Sequence, residues 1–250
     1  MNAKHFRTFA EYLKAEKKPT TVQTELAGLR HFYNLSGGTN KLPENKDLDL
    51  EKRSTGEINF AWLPHEIKAA IEVTEKMNRF DVRDAIHISW RFGLRISEIC
   101  KLRVEDIKKA LENEELYVKG KGARERWIRL ETPEQWALAR RLYNEAKKRD
   151  LQDGDFLISR SVKYGTMREK ASLENWLGNH RHKFTDPNRQ SYQKPGCKPY
   201  SKDLKWHGLR YKFAQEYNQR LLDAKDPRRE QKLTESLGHD RLEVLKGYLQ

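Results

Sequence analysis

Two cysteines, Cys100 and Cys197, occur in 250 residues with no CxxC pair, which disfavours both a disulfide framework and a structural zinc site. The longest stretch without Lys, Arg, Asp or Glu is ten residues, His31–Asn40, whereas a membrane-spanning helix needs about 20 apolar residues. The opening MNAKHFRTFAEYLK carries no apolar core and does not read as a secretory signal. Neither a GxxxxGK(S/T) phosphate loop nor an acidic trio at a strand end is found, so ATP-driven and two-metal nuclease chemistries are not expected. The reading is a soluble, cytoplasmic protein with no metal and no cofactor.

What is abundant is positive charge: 50 Lys and Arg stand against 37 Asp and Glu, a net of +13. It is unevenly spread. Residues 1–60 carry 10 basic and 8 acidic side chains, residues 160–212 carry 13 and 4. Tyr164, Trp176, Phe184, Tyr192, Tyr200 and Trp206 are interleaved with the basic residues of that second segment. A polyanion running along this surface is the economical explanation, and nucleic acid is the commonest one. A merely solvated basic face is the bland alternative.

The chain divides near residue 60. Phe6, Phe9, Ala10 and Leu13 recur at helical spacing until Lys17-Lys18-Pro19 breaks the pattern. Thr20 or Thr21 can cap a second helix with Val22, Leu26, Leu29 and Tyr33 on one face, ended by Gly37-Gly38. Residues 40–59 read as a polar linker or strap with few anchors. Beyond Trp62 the spacing predicts helices opening at Pro64 and running up to Gly93, then over 133–149, 168–180, 204–222 and 229–237. Alternation in 114–118 and 124–130 around Lys119-Gly120-Lys121-Gly122-Ala123 predicts a β-hairpin with both lysines at its tip. The fold class is mainly α with one small antiparallel sheet.

Four local patterns carry chemistry. Gly93-Leu94-Arg95-Ile96-Ser97-Glu98 sets an Arg at the start of a helical turn, with Glu98 able to orient its guanidinium. The glycines around Lys121 let the hairpin approach a ligand closely. His207 and Arg210, three apart in Trp206-His207-Gly208-Leu209-Arg210, share a helix face. Leu237-Gly238-His239 is followed nine residues later by Tyr248. Alone, each reads more simply as a surface ion pair, a basic turn, a cap or a packing residue.

In this order the four patterns resemble the tyrosine recombinase/integrase family over roughly residues 62–249. The resemblance implies a catalytic domain over 61–250 behind a short helical core-binding region and linker over 1–60, the pair forming a clamp on DNA. TTVQTELAGLRHFY, residues 20–33, is loosely similar to the second helix of such core-binding domains. It implies a catalytic set of Arg95, Lys121, His207, Arg210, His239 and the nucleophile Tyr248, supported by Glu98. Lys119, Arg124, Lys163, Arg168, Lys202 and Lys205 are the candidate DNA contacts, with Lys119 the fallback for Lys121.

The chemistry wants these residue types. Two guanidiniums bind the non-bridging oxygens of a phosphodiester bidentately and never lose their proton. Histidines donate a hydrogen bond or accept the proton of the nucleophile. A phenol with a free pKa of about 10 needs an electropositive pocket, and the lysine protonates the leaving 5′ oxygen. The implied product is a 3′-phosphotyrosyl link formed without ATP or metal. The implied partners are double-stranded DNA with inverted core sites and further copies of the chain, as dimer or tetramer, with no membrane.

A type IB topoisomerase, a telomere resolvase and a DNA-binding accessory protein with a decayed site are the alternatives. Gly208 follows His207 where many relatives carry an acidic residue. A region before residue 60 shorter than a four-helix core-binding domain, and a chain ending two residues after Tyr248, suggest a minimal or truncated member lacking the exchanged C-terminal segment of its relatives.

Overall fold

The computed structural model describes residues 1–51, 59–120, 122, 124–158, 166–189, 204–238, 245 and 247–249. They form two units, one over 1–51 and one from residue 59 onward.

In the first unit, Asn2 caps helix α1 (Ala3–Glu16) by accepting the His5 N–H at 3.0 Å. Helix α2 (Pro19–Leu35) begins two residues earlier than a Thr20 cap requires. Lys18 is its cap and Pro19 its first residue, where the missing N–H costs nothing and the fixed φ already suits a helix. Phe6, Ala10 and Leu13 of α1 pack on Val22 and Leu26 of α2. The segment after α2 has more anchors than its polarity suggests. A 3-10 turn at Asn45–Leu48 buries Leu48 in the same cluster, with Leu42 and Leu50 packed against it. Arg30 ties the strap to α2 through the Pro43 carbonyl at 2.8 Å and the Asn45 side chain at 2.9 Å. The strap is the third layer that two short helices need to close a core.

The second unit runs α3 (Pro64–Lys76), α4 (Phe80–Phe92), α5 (Ile96–Ile99), α6 (Val104–Asn113), β1 (Glu115–Lys119), β2 (Glu125–Arg129), α7 (Pro133–Lys148), α8 (Thr166–His180), α9 (Trp206–Asp223) and α10 (Arg229–Leu237). The strands pair antiparallel, Glu115 opposite Arg129 and Lys119 opposite Glu125. The register therefore sets Lys119 at the end of a strand, not in the turn. Helix α6 has no counterpart among the expected helices. Its Val104, Ile107 and Ala110 are buried, and the Asp106 carboxylate accepts the Arg103 N–H at 2.8 Å to cap it.

One apolar core spans this unit, from Trp62 and Ile67 through Ile86, Ile88, Phe92 and Ile99 to Trp176 and Leu209. Each such side chain removed from water contributes about 1.5–3 kcal/mol. Helix α9 is the axis for the site. Trp62 reaches it twice: its indole N–H donates to the Lys205 carbonyl at 2.9 Å, and its backbone N–H donates to the Gly208 carbonyl at 3.3 Å. A second cluster joins Phe213, Ala214, Tyr217 and Leu221 of α9 to Leu233 and Leu237 of α10, and to Leu245 and Tyr248. Among the described residues no helix is long and apolar enough to cross a membrane.

Candidate active site

Helix α4 ends at Gly93, whose φ of +64° suits a residue without a Cβ. A Cβ there would lie 2.3 Å from the Phe213 ring, so the glycine also lets α9 come close. The chain then turns straight into α5, and Arg95 becomes its N-cap. Glu98, three residues on, accepts the Arg95 backbone N–H at 2.8 Å and the Arg95 guanidinium at 2.9 Å. One carboxylate thus caps the helix and aims the arginine.

Glu98 has a second partner that the sequence reading does not include. Arg126, on β2, donates two parallel hydrogen bonds to it, at 3.0 and 2.7 Å. Both side chains are buried. Burial alone would raise the Glu98 carboxyl, but the hydrogen bonds and charge of Arg126, then the Arg95 N–H and the charge of Arg210, outweigh it and hold the pKa at about 2. The signal for Arg126 is in the alternation of ERWIR, which puts positions 126 and 128 on the inward face. A charge in an inward slot calls for a buried partner.

Arg210 is fully buried on the first turns of α9. Its two terminal nitrogens donate to the carbonyls of Gly93, the left-handed residue that caps α4, and Leu237, the last residue of α10. Its Nε–H has no hydrogen-bond partner among the described residues. Burial lowers its pKa to about 10, with Tyr248 pulling the other way through charge and a hydrogen bond. The guanidinium stays cationic at neutral pH.

His207 stands one turn before Arg210, and its Nε2 lies 3.0 Å from the Tyr248 hydroxyl. Part of the ring is exposed. Burial of the rest, then the positive charges of Arg210 and Arg95, lower its pKa to about 4. The imidazole is therefore neutral at pH 7, the form that can accept a proton. Tyr248 is buried in the α9–α10 cluster. It stacks on Tyr211 at 4.4 Å between centroids, and Tyr211 meets the His207 ring edge-on at 5.1 Å. Tyr211 is a further residue absent from the sequence reading, although its place four after His207 sets it on the same helix face.

Arg95, Glu98, His207, Arg210 and Tyr248 therefore converge within one chain, across 154 positions of sequence. Lys121, His239, Lys163 and Lys202 lie outside the described residues. Gly120 and Gly238, next to two of them, both abut the Glu98–Arg126 pair. Lys205 lines a cleft of about 440 Å³ together with Arg95, His207, Lys170 and Arg181. Lys119 is on the exposed face of the hairpin, 3.9 Å from Glu125, opposite to the face that carries Arg126. Arg124 lines a different cavity, of about 750 Å³, between β2, α9 and α10. Arg168 is exposed near the start of α8. Among the described residues no group of His, Cys, Asp and Glu is arranged to hold a metal.

A buried arginine, a neutral histidine and a phenol held together on a mainly helical frame define a class, and comparison with known proteins agrees. Residues 62–250 match the phage integrase family, and the chain belongs to it. It is a site-specific recombinase of the tyrosine type. The chain is similar to the lambda integrase structure bound to DNA, with 14% identity and a TM-score of 0.64 over 98% of this chain and 80% of that one. It is similar to XerH recombinase in a post-cleavage complex with a palindromic difH substrate, at 17% identity and 0.64, over 99% and 68%. The Tn1549 transposon integrase in complex with a circular-intermediate DNA matches at 15% and 0.57, over 100% and 81%. At these identities the likeness to solved structures is one of fold.

Proposed function

We propose that the chain cleaves and rejoins duplex DNA through a 3′-phosphotyrosyl intermediate on Tyr248. The observation that carries this reading is the 3.0 Å approach of His207 Nε2 to the Tyr248 hydroxyl, beside the Arg210 guanidinium. Neutral His207 accepts the phenolic proton as the oxygen attacks phosphorus. Arg95 and Arg210 hold the non-bridging oxygens, and the Arg210 Nε–H is a donor suited to one of them. The bond to the 5′ oxygen breaks and that oxygen takes a proton from Lys121, with His239 as a further donor. A 5′ hydroxyl from another strand then attacks the phosphotyrosine, the phenol regains its proton, and one ester has replaced another.

Lys205 in the cleft beside Arg95 and His207 supports a role in holding the flanking phosphates. Lys119, Arg124, Lys163, Arg168 and Lys202 complete the proposed contacts, and residues 1–60 are read as a core-binding region with its linker. The solved relatives include a lambda integrase dimer on a core site and a lambda integrase tetramer on a Holliday junction. We extend that mode of assembly on DNA to this chain, and place it in the cytoplasm at the nucleoid as the integrase of a mobile element.

The test uses a pool of nicked duplexes with randomised sequence, so that the short strand beyond the cleavage site diffuses away. The wild type is expected to yield a detergent-resistant protein–DNA adduct whose sequence reveals the core site, while Tyr248→Phe yields none. An adduct surviving in Tyr248→Phe refutes the nucleophile. Relaxation of supercoiled plasmid by monomers without exchange between sites points to topoisomerase action instead.

A further inference from the structure

Three structural elements meet on one ion pair. The Arg126 guanidinium comes from β2 and the Glu98 carboxylate from α5, and the pair lies against the backbone of the hairpin and of the α10 terminus. A Cβ built on Gly120 would sit 2.9 Å from Glu98 Oε1 and 3.4 Å from an Arg126 terminal nitrogen. A Cβ on Gly238, the left-handed residue that ends α10, would sit 3.1 Å from Arg126 Cδ. The two arginines share both oxygens of Glu98: Oε1 accepts from the Arg95 and Arg126 guanidiniums, and Oε2 from the Arg95 backbone N–H and the other terminal nitrogen of Arg126. A carboxylate held so cannot rotate away from the arginine it aims.

We propose that Arg126 is a positioning residue for the recombination reaction: through Glu98 it fixes the Arg95 guanidinium, and by its packing it seats the backbone at Gly120 and Gly238 against that pair. This rests on the active-site reading above. Arg126 touches no reacting atom. It is spent on orientation, where a misplacement of about 1 Å costs on the order of a hundredfold in rate. Lysine in its place keeps the charge but has a single donor centre and no planar fork, so it cannot hold both carboxylate oxygens at once.

The test is a set of single-turnover adduct rates at saturating DNA, on the nicked duplex recovered from the randomised pool. Wild type, Arg126→Lys, Arg95→Ala and the double variant are compared, with DNA affinity and urea unfolding measured alongside. Arg126→Lys is expected to bind DNA within about twofold of wild type and to form adduct at least about tenfold more slowly. In the Arg95→Ala background the same substitution is expected to change the rate by less than about twofold, because the residue it acts through is already gone. A role in stability alone predicts the opposite, a loss that persists without Arg95. Gly120→Ala pushes on the pair from outside without removing a charge, and it decides the matter if Arg126→Lys shows no cooperative unfolding. It is expected to slow adduct formation at unchanged DNA affinity. Wild-type rates in folded Arg126→Lys or Gly120→Ala, or losses that multiply with Arg95→Ala, overturn the inference and leave the nucleophile reading standing. Absence of any adduct from the wild type overturns the nucleophile reading, and the inference falls with it.

Discussion

Replacing Glu98 with Gln removes one charge from the most densely bonded carboxylate near the site and leaves its shape. Glu98 accepts four hydrogen bonds, two each from Arg95 and Arg126. Its pKa falls from the usual 4.5 to about 2 on folding. At about 1.4 kcal/mol for each tenfold change in proton affinity, that fall represents about 3 kcal/mol of stability at neutral pH. Orphaning a buried ion-pair partner costs about 3–5 kcal/mol by an independent route, so the two magnitudes agree. The folded carboxyl binds its proton more weakly than the unfolded one. Its contribution is therefore complete above about pH 4.5 and is lost as pH falls through about 2, standing near 2 kcal/mol at about pH 3.5. All six tryptophans lie between residues 62 and 206, so their fluorescence reports on the second unit. Urea melts of wild type and Glu98→Gln are expected to differ by about 3 kcal/mol at pH 7, with the gap narrowing below about pH 4.5. His207 is neutral at pH 7 and adds nothing to the difference there, but the Glu98 charge raises its pKa, so its titration near 4 enters the comparison at lower pH and works against the narrowing. A gap below about 1 kcal/mol at pH 7, or one that stays constant down to about pH 3, would falsify the assignment of Glu98 as the ionised anchor of Arg95 and Arg126.

Other consequences are as direct. With neutral His207 as the proposed proton acceptor and its pKa at about 4, single-turnover cleavage is expected to hold its rate through pH 6.5 and fall only as pH drops toward 4. A decline centred near 6.5 contradicts the depressed value. Gly208→Ala sets a Cβ 2.5 Å from the Phe60 carbonyl and 2.6 Å from Trp62 Cδ1. It is expected to cost about 1–3 kcal/mol in a tryptophan-monitored melt, and a neutral result means that Trp62 is not seated on α9 as described. Leu48→Ala empties part of the first unit's core, at about 2–5 kcal/mol. Amide hydrogen exchange of α1 and α2 is expected to accelerate accordingly, and unchanged protection shows that the strap does not hold them.

The periodicities of the sequence carried most of the helices because burial follows them. Val22 and Leu26, or Ile67, Ala70 and Thr74, are spaced as a buried stripe must be and are buried. Helix α6 escaped because it is one turn from the hairpin and rich in charge. Its three buried residues are too few to stand out, and its start is marked only by the Asp106 carboxylate folding back on Arg103. The start of α2 was misjudged for the converse reason. A proline reads as a break, yet at the first position of a helix it is compatible with the geometry.

The site divides along the same line. Glycine breaks and the three-residue spacing of His207 and Arg210 are local, so they can be read without a fold. What holds the residues is not local. Arg210 is anchored by the carbonyls of Gly93 and Leu237, which are backbone atoms that any residue type supplies, and they come from two different helix ends. Arg126 meets Glu98 across 28 positions. In a strand read by alternation, a lone inward arginine looks like an error of register until its partner is found. The ordered cations can therefore be seen in one dimension, whereas the reason they point the same way is a property of three. It follows that a change at Arg126 alters the site without touching any residue of the motif, and that a reading confined to the motif would judge such a chain intact.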